Sequence, residues 1–176
     1  MATVLSGPSP AHTSHLIQAA LSLAELTSVV RSVAADTRRW QPRLHLPDGN
    51  DRWWTRLCKD DRVDIWLLSW LPGQGTDLHD HGPSAAAFTV VRGLLSELRM
   101  DQRAGATSYC RRPDSVIWLA PGVVHDVSGA GVEPAVSIHA YSPPLCEMNY
   151  YAPDAGGRLH RVRTLATHAP EQGTLR

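Results

Sequence analysis

The 176-residue chain has few cysteines, no excess charge of either sign and no long apolar run. Cys58, Cys110 and Cys146 are odd in number and widely spaced, which excludes a disulfide framework and a zinc ribbon. Such isolated thiols fit a reducing compartment, so the expected location is cytoplasmic. Lys plus Arg and Asp plus Glu each total 17, for a formal net charge of +0. That balance favours neither nucleic acid nor an anionic membrane as a partner. No stretch approaches the roughly 18 apolar residues of a spanning helix. The N-terminus lacks the basic start and continuous apolar core of a secretory leader, and no repeat of solenoid period is present. What remains is an ordinary globular composition, 43% hydrophobic and 19% charged. It is enough for one domain with its own core, expected to be a monomer.

Residues 1–13 are rich in Ser, Pro and Gly and read as a loose N-terminus. A helical segment is expected over 14–48. Leu16, Ala20, Leu23, Leu26, Val30 and Val33 recur at three- and four-residue steps, Ser14 is the candidate N-cap, and the helix runs to about Trp40 before Pro42 and Pro47. From 49 to 167 the pattern changes to short strands separated by turns. Candidate strands are 53–58, 63–70, 87–91, 94–100, 116–119 and 136–141, with a last hairpin formed by 148–152 and 159–167. Gly and Pro mark the breaks, as in Pro72-Gly73-Gln74-Gly75, Arg92-Gly93 and Pro121-Gly122. Residues 168–176 read as a disordered tail. Many short strands at even spacing predict a mainly β fold, a small barrel or sandwich with an N-terminal helical segment.

The chemistry concentrates in the histidines. His79 and His81 flank Asp80, and His125 follows Pro121-Gly122-Val123-Val124. Alternate residues of a strand share a face, so His79 and His81 point one way and Asp80 the other. Two imidazoles on one face and a third from elsewhere make a facial metal site with open positions. The stretch after His81, Gly82-Pro83-Ser84-Ala85-Ala86-Ala87, offers no carboxylate ligand. Asp77 shares the face of the pair but lies a strand-step further off, toward a rim. Three neutral ligands leave the ion's charge to be offset by what binds it, which suits an anion such as a thiolate. Three histidines alone do not choose between iron, Zn, Ni, Cu and Mn. Gly93 stands at the offset where the cupin motif places its glycine, and Asp114, Pro121, Gly122 and His125 resemble the second cupin motif.

Two further groups stand out. Ser137-Ile138-His139-Ala140-Tyr141 places Ser137, His139 and Tyr141 on one strand face, a row able to form a hydrogen-bond chain in which Ser orients His and His holds the Tyr hydroxyl. Arg56 lies within an otherwise apolar and aromatic run, Trp53 to Cys58. Pointing inward, it needs an anion, and its fork suits a carboxylate. Arg52, Arg62, Arg92 and Arg99 are expected at the surface. The cysteines, Cys146 near the site mouth included, are expected to be non-catalytic thiols.

Together these residues resemble the thiol dioxygenases, specifically the bacterial type of cysteine dioxygenase. The resemblance rests on Thr55-Arg56, His79-Asp80-His81, Gly93, Pro121-Gly122-Val123-Val124-His125 and Ser137-Ile138-His139-Ala140-Tyr141-Ser142-Pro143-Pro144. It implies a cupin fold (a small jelly-roll barrel) with Fe(II) held by His79, His81 and His125. It implies that Arg56 and Tyr141 bind the substrate and that His139 and Ser137 orient Tyr141. L-cysteine would be oxidised with O2 to cysteine sulfinic acid, since in this family Arg at that position goes with L-cysteine and Gln with 3-mercaptopropionate. Another small mercapto acid, or a non-catalytic metal-binding cupin, are the alternatives. A cis Ser142–Pro143 peptide is also implied. Mammalian members carry a cysteine that crosslinks to the tyrosine. Ala86 occupies that place here, so Tyr141 should be a free phenol. Trp54 replaces a tyrosine of mammalian relatives, and Asp77 a small polar residue.

Overall fold

The computed structural model describes residues 19–47, 52–101, 105–170 and 174–175. The candidate cap Ser14 lies outside them. The helix, α1, spans Leu23–Ala35 and so starts later than its apolar stripe suggests. Ser22 is the cap. Its Oγ accepts from the Glu25 amide, while the Glu25 carboxylate accepts from the Ser22 amide at 2.8 Å. This reciprocal pair satisfies two of the amides that open a helix and sets its first turn. Leu26, Val30 and Val33 form the buried stripe. Two 3-10 turns, Thr37–Arg39 and Gln41–Arg43, then lead away from the helix.

The rest is antiparallel sheet. The strands are β1 (Trp53–Lys59), β2 (Asp64–Trp70), β3 (Gln74–Gly75), β4 (His79–Asp80), β5 (Ala85–Arg92), β6 (Leu95–Asp101), β7 (Gly105–Arg111), β8 (Val116–Leu119), β9 (Val124–Gly129), β10 (Ala135–Ser142), β11 (Glu147–Pro153), β12 (Leu159–Ala166) and β13 (Thr174–Leu175). One sheet has the order β1-β2-β10-β5-β8. The other has the order β12-β11-β4-β9-β3-β13, with β6 also paired to β9 and β7 to β6. The two sheets enclose a core of Trp66, Leu68, Trp70, Phe88, Leu119, Val127, Leu145 and Met148. A second cluster lies on the outer face of the first sheet, where α1 covers Ile65, Leu67, Val136, Ile138 and Ala140. β2 and β10 are therefore buried on both faces. That explains why Asp64–Trp70 reads as a nearly continuous apolar run rather than an alternation.

Gly93 makes the turn from β5 to β6 at φ +74, and a Cβ there would lie 2.8 Å from the Ala135 Cα. Both the left-handed backbone and the close approach require glycine. The Ser142–Pro143 peptide is cis. The chain from His168 differs from its reading as a disordered tail. Ala169 packs on the inner core and Pro170 is buried. Further on, Thr174–Leu175 pairs with Gln74–Gly75.

Candidate metal centre

Strand pairing brings the histidines together. β4 pairs with β9 so that His79 stands opposite His125, and His81 follows directly after β4. The three residues are buried, and the ligand atoms they offer lie within 4.8 Å of one another. Two backing contacts set the rings. Nδ1 of His79 meets the Asp77 carbonyl at 2.8 Å, and Nδ1 of His125 meets Glu97 Oε1 at 3.0 Å. A carbonyl and a carboxylate can only accept, so each Nδ1 carries a proton and the Nε2 side of each ring is the one left to face an ion. Nε2 of His125 is buried with no hydrogen-bond partner among the described residues. An orphaned buried nitrogen is costly, and a divalent ion shared by the three imidazoles relieves it. The donor set fits such an ion. Burial, first, and the neighbouring histidines push His79 and His81 well below the usual imidazole range. Both are thus in the neutral, ligating form near pH 7.

Carboxylates surround the site without entering it. Asp77 is exposed and contributes its carbonyl. Asp80 points away, as alternation requires. Its Oδ1 accepts from the Gly82 amide (2.8 Å) and Asn149 (2.9 Å), and its Oδ2 accepts from the Tyr151 hydroxyl (2.7 Å). These bonds fasten the short β4 to β11. Glu97, on the inner face of β6, is fully buried. Its Oε1 accepts from His125 and from Arg99 Nε (2.9 Å), and its Oε2 from Arg111 Nε (2.7 Å). Burial alone would raise its carboxyl, but the hydrogen bonds from His125 and Arg99 outweigh it and bring the value down to about 2.

The β10 row also faces inward. Ser137 Oγ and His139 Nε2 are 2.8 Å apart, and Trp70 Nε1 donates to the same Ser137 Oγ at 2.8 Å. His139 stacks on Phe88, with ring centroids 4.9 Å apart. Burial, then the positive charge of Arg52, pushes His139 down to about 3. The Tyr141 ring lies 4.9 Å from His81 and 6.5 Å from His139. Ala86 stands directly across from Tyr141 on β5, and the three cysteines are free and exposed.

The histidines, Tyr141 and Trp70 line one small cavity, with Pro170 also in its wall. Arg56 does not line it. Its Nε binds Asp64 Oδ1 at 2.9 Å, its Nη2 donates to the His168 carbonyl at 2.5 Å, and its guanidinium stacks over Trp66. Asp64 is fully buried, so the anion that Arg56 requires is supplied from within the protein. The guanidinium that lines the cavity belongs to Arg52, which is 9% exposed and lies 4.1 Å from the Trp70 ring centre. Arg52 was expected at the surface. Its position is legible in the alternation of Arg52, Trp54 and Arg56 along one face, but the occupant of each place along that face is not. Glu97 has a similar signature, an acid between Leu95 and Arg99 on one strand face.

A jelly-roll barrel with three buried histidines converging at its inner wall defines a metal-binding cupin. Solved structures agree on the fold. An oxalate oxidase in complex with the substrate analogue glycolate aligns with a TM-score of 0.52 at 14% identity, over 61% of this chain and 59% of its own. A Klebsiella pneumoniae protein with a double-stranded β-helix domain aligns at 0.50 and 15% identity, over 70% of this chain and 93% of its own. Within that fold the chain belongs to the cysteine dioxygenase type I family, which matches residues 8–154. Cysteine dioxygenase type 1 of Rattus norvegicus is 27% identical over 93 residues, 48% of this chain and 46% of that protein. The Danio rerio protein is 25% identical over 138 residues, 71% of this chain and 67% of its own. The chain thus spans about half to two thirds of the length of these curated relatives.

Proposed function

We propose that the chain is an Fe(II)-dependent thiol dioxygenase that converts L-cysteine and O2 to cysteine sulfinic acid. The observation that carries this reading is the meeting of three buried imidazoles and one arginine, Arg52, on a single small cavity. His79, His81 and His125 hold the ion. Ferrous iron, when bound, supplies Lewis acidity toward a thiolate and the electrons that activate O2. Arg52 takes the role first assigned to Arg56 and pairs with the substrate carboxylate, its fork matching the two carboxylate oxygens. The flanking Trp70 ring limits the guanidinium's freedom, so less ordering is needed when the substrate binds. Tyr141 offers its hydroxyl to the bound substrate from beside His81, and Trp70, Ser137 and His139 form the polar row behind it. The reaction balances without a further reductant, since a thiol and one O2 contain every atom of the sulfinic acid.

The deciding experiment is oxygen consumption by the iron-loaded protein with L-cysteine and with 3-mercaptopropionate, together with mass detection of the sulfinic acid. One O2 consumed per sulfinate formed from L-cysteine is the expected result. Faster turnover of 3-mercaptopropionate would move the assignment to a mercapto acid. No uptake with either thiol would leave a metal-binding cupin that is not an enzyme.

A further inference from the structure

The three-histidine site lacks a carboxylate ligand, yet a buried carboxylate lies one hydrogen bond away. Glu97 Oε1 is 3.0 Å from His125 Nδ1, and the opposite nitrogen of the same ring is the orphaned Nε2. The Glu97 side chain has no exposed surface, and it stays in place through two arginines on the same sheet. The contacts are unequal. Arg111 binds Oε2, whereas Arg99 shares Oε1 with the imidazole. The arginines therefore do more than neutralise a buried charge. Arg99 competes with His125 for the electron density of a single oxygen.

We propose that Glu97 is a positioning residue of the metal centre: it fixes the His125 tautomer with Nε2 toward the ion and lends that ring the negative charge that the ligand set lacks, while Arg99 limits how much charge is lent. This rests on the metal site proposed above. A carboxylate accepting the Nδ1 proton raises the basicity of Nε2 and fixes the ring plane, and loss of such a contact commonly weakens metal affinity about 10–100-fold. A purely structural Glu97 would require only a side chain of the same shape that accepts one hydrogen bond.

The Glu97→Gln variant separates the two roles, because the amide oxygen still accepts from Nδ1 but carries no charge. Co(II) is the probe, with affinity read by calorimetry and ligand field by visible absorption, neither of which depends on turnover. The expected result is about 10–100-fold weaker binding in Glu97→Gln with a shifted absorption band. Arg99→Gln frees Oε1 for His125 and should move affinity and band the opposite way. Unchanged affinity and spectrum in Glu97→Gln, or both variants moving in the same direction, would overturn the proposal. Should Glu97→Gln fail to fold, Arg99→Gln decides alone: tighter binding supports the assignment, and equal or weaker binding defeats it. If the unmodified protein binds no Co(II), the metal site itself falls instead.

Discussion

Arg52 and Arg56 lie four residues apart along one face of the same chain segment, and both are stacked on tryptophan rings. Their positions nevertheless have opposite consequences. Arg56 meets Asp64, an acid with no exposed surface, at 2.9 Å and also holds the His168 carbonyl. Arg52 lines the cavity beside the histidines, and its charge opposes protonation of His79 and His139. A cation whose partner is built into the fold is structural. A cation at a cavity wall next to a candidate metal site is the one proposed here to meet the substrate carboxylate. What distinguishes the two is the neighbouring strand, because β2 presents Asp64 across from the outer end of β1 and Leu68 and Trp70 toward its inner end.

The comparison breaks most directly by truncating each cation. Arg52→Ala should lower kcat/KM for L-cysteine by about 2–4 kcal/mol, a factor of roughly 30 to 1000, as expected when one partner of a desolvated charge pair is removed. The effect should shrink for a thiol without a carboxylate, measured by oxygen uptake. Arg56→Ala should change that ratio far less but reduce unfolding free energy by about 1–3 kcal/mol in urea titrations. The reason is the carboxylate of Asp64, left buried without its ion pair. If the two variants exchange these phenotypes, the assignment of the substrate guanidinium is wrong.

The smallest effect sharpens the electrostatic side. His139 is held near 3 in the fold against an ordinary 6.5. Below about 6.5 the unfolded chain takes up a proton that the folded chain refuses, so stability is full above that pH and declines as pH falls toward about 3. The slope is about 1.4 kcal/mol per pH unit for this one group. Without Arg52 the fold admits that proton at a higher pH, so in the metal-free Arg52→Ala protein the decline should level off at a higher pH and total less. Arg56→Ala should leave the pH range of the decline as it is. The same levelling-off pH in all three proteins would mean that Arg52 does not reach His139 electrostatically.

Much of the fold was legible because side chains alternate between the two faces of a strand and turn residues mark its ends. Val116–Leu119 coincides with its sequence reading, and β10 places Ser137, His139 and Tyr141 opposite Ile138 and Ala140 as the period of two requires. β7 was missed. Gly105–Arg111 is largely exposed, so no apolar rhythm marks it. The helix start was misplaced because an apolar stripe shows where a helix packs, whereas the capping box Ser22 to Glu25 shows where it begins. At the site, the spacing of His79 and His81 indicates a shared face. The approach of His125 depends on the β4–β9 pairing, which spacing does not specify. Arg52 and Glu97 escaped for the same reason: an inward charge is recognisable in sequence, but its partner comes from another strand.

Pro170 lines the cavity from a segment that Arg56 grips by the His168 carbonyl. Proteolysis between Thr167 and Ala169 would thus leave all three histidines in place while freeing one part of the cavity wall. On the proposed function, such nicked material should bind an ion with normal stoichiometry yet discriminate less among thiols, so intact mass decides whether two preparations can be compared in substrate preference.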